Sequence, residues 1–207
     1  MMNALKTKNN SKPGKILLIS CLLMLLLSQN VLARQTNLNP VDSDKSGFSE
    51  NRWSLETSLT FPVVRIYMLK FFYEHSDRVE LGFGPAFQNW KNTDESFIGQ
   101  ANAFTLVLSY RYYFWKNFNA EIEFWPAWNH FESFVDGKTY KGPELWVEYK
   151  VGYKWDFAQR FYLNIQPGIG HALWLQQDWP GVDKKPYGEF VKGSVIFVPQ
   201  VLVGWRF

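Results

Sequence analysis

Val195-Ile196-Phe197-Val198-Pro199-Gln200-Val201-Leu202-Val203-Gly204-Trp205-Arg206-Phe207 is the stretch that decides the fold. Val195, Phe197, Pro199, Val201, Val203, Trp205 and Phe207 share one parity, and Gln200, Gly204 and Arg206 share the other. A period of two is that of an extended strand, whose successive side chains leave on opposite faces. This segment therefore has one apolar face and one that carries polar or small residues.

Seven earlier segments follow the same rule. Phe161, Leu163, Ile165, Pro167 and Ile169 oppose Tyr162, Asn164, Gln166, Gly168 and Gly170, and Leu145, Val147, Tyr149, Val151, Tyr153 and Trp155 oppose Glu144, Trp146, Glu148, Lys150, Gly152 and Lys154. Ile122, Phe124 and Pro126 oppose Glu121, Glu123 and Trp125; Phe104, Leu106, Leu108, Tyr110, Tyr112 and Phe114 oppose Thr105, Ser109 and Arg111. Val79, Leu81, Phe83, Pro85 and Phe87 oppose Glu80, Gly82, Gly84, Ala86 and Gln88. Tyr67, Leu69, Phe71 and Tyr73 oppose Lys70 and Glu74, and Trp53, Leu55 and Leu59 oppose Ser54, Glu56 and Ser58. The division between these first two segments rests on Phe61-Pro62-Val63-Val64 as a turn, with no Gly or Asn to support it. Connections alternate short (His75–Arg78, Lys116–Asn117, Asp156–Gln159) and long (about Lys91–Asn102, His130–Lys141, Gln176–Lys192), the pattern of a closed meander with tight turns at one end.

Ahead of the strands, Lys6, Lys8, Lys12 and Lys15 precede an apolar run from Ile16 to Leu27, and Val31-Leu32-Ala33 supplies small residues before a cut. Residues 1–33 are expected to be a cleaved signal peptide, residues 34–51 a polar flexible lead-in, and residues 52–207 one domain. Cys21 is the sole cysteine and lies inside the apolar run, which excludes a disulfide framework and a thiol site from the remainder. Four of the 22 Lys+Arg precede Ala33 and all 19 Asp+Glu follow it, so the exported part carries a formal charge of −1 and has no basic surplus for nucleic acid.

Alternation alone does not say which face is inside; a soluble ligand barrel would turn the apolar one inward. Volume decides. An eight-stranded barrel has room for side chains or one small ligand, and 18 Phe, 10 Trp and 10 Tyr would overfill it. The polar parity, rich in Gly, Ala, Ser, Glu, Lys and Arg, suits a filled interior, and aromatics gather at segment ends as in a membrane-interface belt. The expected fold is all-β: an antiparallel up-and-down transmembrane β-barrel of about eight strands. Crossing by strands demands closure, because every backbone donor must be paired within the protein.

Val201, Val203, Trp205 and Phe207 resemble the C-terminal insertion signal of outer-membrane β-barrel proteins, an alternating apolar strand ending in phenylalanine. In size the domain is similar to the eight-stranded barrels of the OmpA and OmpX type. The resemblance implies a Gram-negative outer-membrane location, recognition by the barrel assembly machinery and periplasmic chaperones, and contact with outer-membrane lipids including lipopolysaccharide. It implies class, not activity, and no cofactor.

The polar parity carries Glu56, Lys70, Glu74, Glu80, Arg111, Glu121, Glu123, Glu144, Glu148, Lys150, Lys154 and Arg206. Charges of both signs in a narrow interior are expected to form an ion-pair plug that sets strand register; a polar path or small-solute site is the functional alternative. An outer-leaflet lipid A-modifying enzyme is a second alternative. His130, Ser133 and Asp136 have the residue types of base, nucleophile and orienter. His171 occupies a place where a lipid A deacylase of the PagL type keeps its histidine, although His171-Ala172-Leu173 has no serine two residues on. Loops also carry His, Ser and Asp for turns and solubility, and His75 is expected to be solvated in its turn. Trp128, Phe131, Trp174, Trp179, Asp178, Lys184 and Lys185 gather near the long-loop end, as anchors or as a surface for partners. No spacing suggests a metal site.

Overall fold

The computed structural model describes residues 52–92, 98–157, 159–175 and 186–207. The expected signal peptide and lead-in, and Asp178, Trp179, Lys184 and Lys185, lie outside the described residues. Among those described, nine strands form one antiparallel sheet: β1 (Trp53–Ser58), β2 (Ile66–Met68), β3 (Lys70–Ser76), β4 (Val79–Asn92), β5 (Gly99–Trp115), β6 (Phe118–Ser133), β7 (Thr139–Asp156), β8 (Phe161–Leu175) and β9 (Ile196–Arg206). β1 pairs with β3, β3 and β2 both pair with β4, each strand from β4 onward pairs with the next, and β9 returns to β1, which closes the ring. β2 and β3 pair with successive parts of β4, so they are two pieces of one stave and the ring has eight.

The stagger follows from the register. Stepping across from Leu55 gives Phe71, Phe83, Leu108, Phe124, Val147 and His171, then Val195 next to the Gly170–Ile196 pair; the β1–β9 register puts Val195 opposite position 65, ten residues from the start. That offset, at ~3.3 Å per residue over eight spacings of ~4.8 Å, tilts the strands by about 40° and gives a backbone radius of roughly 8 Å. Such a ring encloses side chains and little else.

Phe61–Val64 forms a single 3-10 turn between the first two staves. Ser58 Oγ accepts from the Phe61 amide at 3.1 Å, and Arg65 adopts the left-handed conformation (φ 60°) that a glycine would otherwise supply. Two of the long connections are shorter than the sequence suggests. β4 reaches Asn92 and β5 starts at Gly99, and the β6–β7 connection is residues 134–138 alone, with His130 paired to Lys141 and Glu132 to Thr139. Polar residues on both faces of these strand ends look like loop, but the ladder runs straight through them. The third connection holds a helix, α1 (Tyr187–Gly193), where no periodic pattern had signalled one.

Outward prolines mark where the ladder is interrupted. The β5–β6 pairing skips from Thr105–Ala127 to Leu108–Phe124 beside Pro126, and the β7–β8 pairing skips from Lys150–Gly168 to Tyr153–Ile165 beside Pro167. The second stave breaks at Leu69, opposite Pro85. Proline has no N–H to give on that side, whereas the ladder on the other side of each proline continues.

The parity rule fixes inside and outside. Inward residues at the long-loop end form an apolar cluster of Phe61, Met68, Ala86, Val107, Trp125, Val198 and Leu202. The charges occupy the part of the interior nearer the short turns. Phe131, read as a rim aromatic, is fully buried on the inward parity, while Trp128 is exposed.

Candidate functional site

Six staves bring their charges to one level of the interior. Arg111 on β5 is fully buried, and its planar fork meets three carboxylates: Nη1 and Nη2 hold Glu56 Oε1 and Oε2 at 2.8 Å each, Nη1 also reaches Glu80 Oε2 at 2.8 Å, and Nε donates to Glu121 Oε2 at 2.6 Å. The guanidinium lies over the Phe72 ring, 4.1 Å from its centroid. A rigid five-donor group suits this position because it satisfies several acceptors without rearranging.

On one side, Lys70 Nζ bonds Glu121 at 3.1 Å and Glu123 at 2.5 Å, with Glu56 at 3.8 Å. Lys150 pairs with Glu123, with Glu148 at 3.0 Å and with Gln200 Oε1 at 2.9 Å. On the other side, Lys154 Nζ bonds Glu80 at 2.6 Å and sits 4.0 Å above the Tyr162 ring. Arg206 pairs with Asp156 at 2.7 Å near the short-turn rim and lies over the same tyrosine ring, 4.8 Å from its centroid. Glu74 is half-buried opposite Glu80, and Glu144 is buried beyond the network, opposite Ala127 and Leu175.

The sequence reading did not assign the neutral groups that complete this assembly. Gln166 Nε2 donates to Glu121 (2.9 Å) and Asn119 (2.7 Å), Ser109 to Glu123 (3.2 Å), Trp125 Nε1 to Glu123 (2.9 Å), and the Tyr162 hydroxyl to Ser54 (2.9 Å). Their signal was parity: Ser109, Trp125, Tyr162 and Gln166 all lie on the same face as the charges. Charged and neutral side chains thus meet in one buried network around Arg111. Four buried cations (Lys70, Arg111, Lys150, Lys154) meet five carboxylates (Glu56, Glu80, Glu121, Glu123, Glu148), so the assembly has no cation to spare.

Of the candidate catalytic residues, Ser133 and Asp136 meet in one turn, but neither histidine joins them. His130 faces outward and is exposed, whereas Ser133 faces inward and its hydroxyl accepts from the amides of Val135 (3.2 Å) and Asp136 (3.5 Å) as a turn cap. Asp136 accepts from Tyr140 Oη and from the Lys138 amide; the tyrosine bond holds its carboxyl below the usual aspartate range. His171 faces outward with its ring stacked on Tyr149 at 6.0 Å. Among the described residues no group of His, Cys, Asp and Glu could hold a metal ion.

Neither a protein-family model nor a curated protein sequence matches the chain. Among solved structures, the chain is similar to the N-terminal β-barrel domain of Pseudomonas aeruginosa OprF, with a TM-score of 0.45 and 13% identity over 75% of this chain and 96% of that one.

Proposed function

We propose that this chain is an integral outer-membrane β-barrel without catalytic activity, its interior a side-chain plug and its long-loop end a surface for structural or interaction roles. The observation that carries this reading is inverted polarity. Arg111, Lys70, Glu56 and Glu123 are 0% exposed, while Phe104 is 70% and Phe197 69% exposed. Water would penalise that arrangement and hydrocarbon would favour it. The ring closes by pairing Ser54–Ser58 with Leu202–Arg206, as a sheet that crosses lipid on strands must close on itself.

Aromatic rings gather at two heights. At the short-turn rim Trp115 stacks on Phe118 at 5.4 Å, Phe118 meets Tyr153 edge-to-face at 4.8 Å, and Trp205 stacks on Phe207 at 5.1 Å. Towards the other rim Phe87 meets Phe104 at 5.1 Å, beside the exposed Trp128. From Phe104 to Trp115 along a strand tilted about 40° is a height of about 28 Å, against an apolar band of about 25 Å in barrels of this kind.

Gel mobility with membrane fractionation tests the proposal. Unboiled protein from isolated outer membranes is expected to migrate faster than boiled protein; recovery in the soluble periplasmic fraction without that shift would overturn it and favour a lipocalin-like binder. Stepwise conductance in planar bilayers would refute the plug, and release of acyl chains from lipid A would refute the absence of catalysis.

The C-terminal residue provides a separate check. The Phe207 amide donates to Trp53 O at 3.0 Å, helping to join the last stave to the first, and its ring extends the rim belt. Deleting Phe207 is expected to reduce the heat-modifiable barrel in cells several-fold while refolding from urea into detergent is largely retained. Normal cellular yield would remove Val201, Val203, Trp205 and Phe207 as an assembly signal.

A further inference from the structure

A shallow groove of about 580 Å³ interrupts the outer surface and runs across the strands from β5 to β9. Its walls are successive outward rows of the ladder: Tyr110, Ile122, Tyr149 and Ile169 form one, and Tyr112, Ala120 and Val151 the other. Between them lie Glu121, Lys150 and Gly168, the first two with their side chains buried inside the ring. Phe197 closes the β9 end.

These dimensions select an occupant. Residues i and i+2 on a strand are about 6.7 Å apart, and four strand spacings make roughly 19 Å. That is a slot for one extended hydrocarbon chain and too narrow for an α-helix, which is about 10–12 Å across with side chains. A stable protein interface uses about 20–30 residues a side, far more than the groove presents.

The rows lie perpendicular to tilted strands, so the groove climbs obliquely. At β5 it begins at Tyr112, four residues from Lys116 in the short turn, and it ends at Phe197, ten residues from Phe207. Beside the lower end is Arg78, an exposed turn residue whose carbonyl accepts from the Tyr113 amide at 2.8 Å; Lys116 is exposed below it. An apolar slot with cations at its rim end matches a fatty chain attached to a phosphate.

We propose that this groove holds one acyl chain of a glycerophospholipid from the leaflet on the short-turn side, with its phosphate met by Arg78 and Lys116. The proposal rests on the membrane-spanning reading above.

Native mass spectrometry of the full chain refolded in detergent micelles, with palmitoyl-oleoyl phosphatidylglycerol added, tests it. Wild type is expected to retain one lipid under conditions that strip the rest. Ala120→Trp fills the slot and should lower that occupancy at least tenfold, and Arg78→Ala with Lys116→Ala should weaken it severalfold. Leu106→Trp, outward on β5 but outside the groove, should leave it unchanged. Equal retention by Ala120→Trp, or equal loss in Leu106→Trp, would overturn the site. If Ala120→Trp fails to fold, the double variant carries the test, and wild-type retention in it overturns the proposal. The heat-dependent gel shift is read on every sample. A barrel that folds in micelles but keeps no lipid refutes the groove alone; a chain that folds only without detergent refutes the membrane reading with it.

Discussion

Arg111→Leu is expected to destabilise the ring by about 3–5 kcal/mol, the usual cost of removing one partner from a buried ion pair. The cost arises from what is left behind. Glu56 loses both of its guanidinium bonds, Glu80 loses one of its two cations and keeps Lys154, and Glu121 keeps Lys70 and Gln166. Five carboxylates would then share three buried cations inside a ring of roughly 8 Å radius. A fall in the urea midpoint of protein refolded in detergent measures this. Arg111→Lys keeps the charge but cannot span three acceptors, so an intermediate loss is expected. Combining Arg111→Leu with Glu56→Leu should recover part of the deficit, because one stranded carboxylate leaves with its partner. A midpoint unchanged by Arg111→Leu would show that the plug does not set stability.

Gly84→Ala is expected to have an effect of similar size from a single added methyl. A Cβ at Gly84 would come within 1.9 Å of Leu69 O and 2.8 Å of Lys70 Cα. Both are backbone, so no rotamer change relieves the contact and the second stave must move away. Lys70, the next residue on that stave, would move with it, away from Glu121 and Glu123. A loss of about 3 kcal/mol or more follows from overpacking combined with a disturbed buried charge. Gly188→Ala is the control: it lies in α1 with nothing within 4 Å of the added atom, and should change stability by less than about 0.5 kcal/mol. If the two variants unfold at the same urea concentration, the close approach of the second stave to β4 is not a constraint.

The arrangement of staves was legible because a period of two is a local property. Each segment declares its own faces, and Arg111, Glu121 and Lys150 needed only parity to be placed inside. What parity could not supply was height. Met68, Val107, Val198 and Leu202 share the inward face with the charges, yet they gather at the other end, a separation created by stagger across all eight staves. Strand ends were missed for the opposite reason. His130, Glu132 and Lys141 lose the apolar alternation but keep their cross-strand partners, so composition changes where the ladder does not. The break at Leu69 is invisible in its own segment because its cause, Gly84-Pro85, belongs to the neighbouring strand. The candidate triad failed on direction alone: His130 and Ser133 are three apart on one strand and therefore point to opposite sides.

The pairing of Ser54 with Arg206 has a consequence for the order of events during synthesis. The first stave of the ring waits for the last, and contacts so distant in sequence form slowly. Until β9 emerges, the nascent chain has an amphipathic face and edges open to any other strand, which is a hazard for aggregation. Arg111 meanwhile lacks the enclosure that gives its bonds to Glu56 their strength. This topology thus leaves the sheet open until its last stave is in place. A ribosome that stopped short of β9 would release adhesive strands and not a narrower barrel.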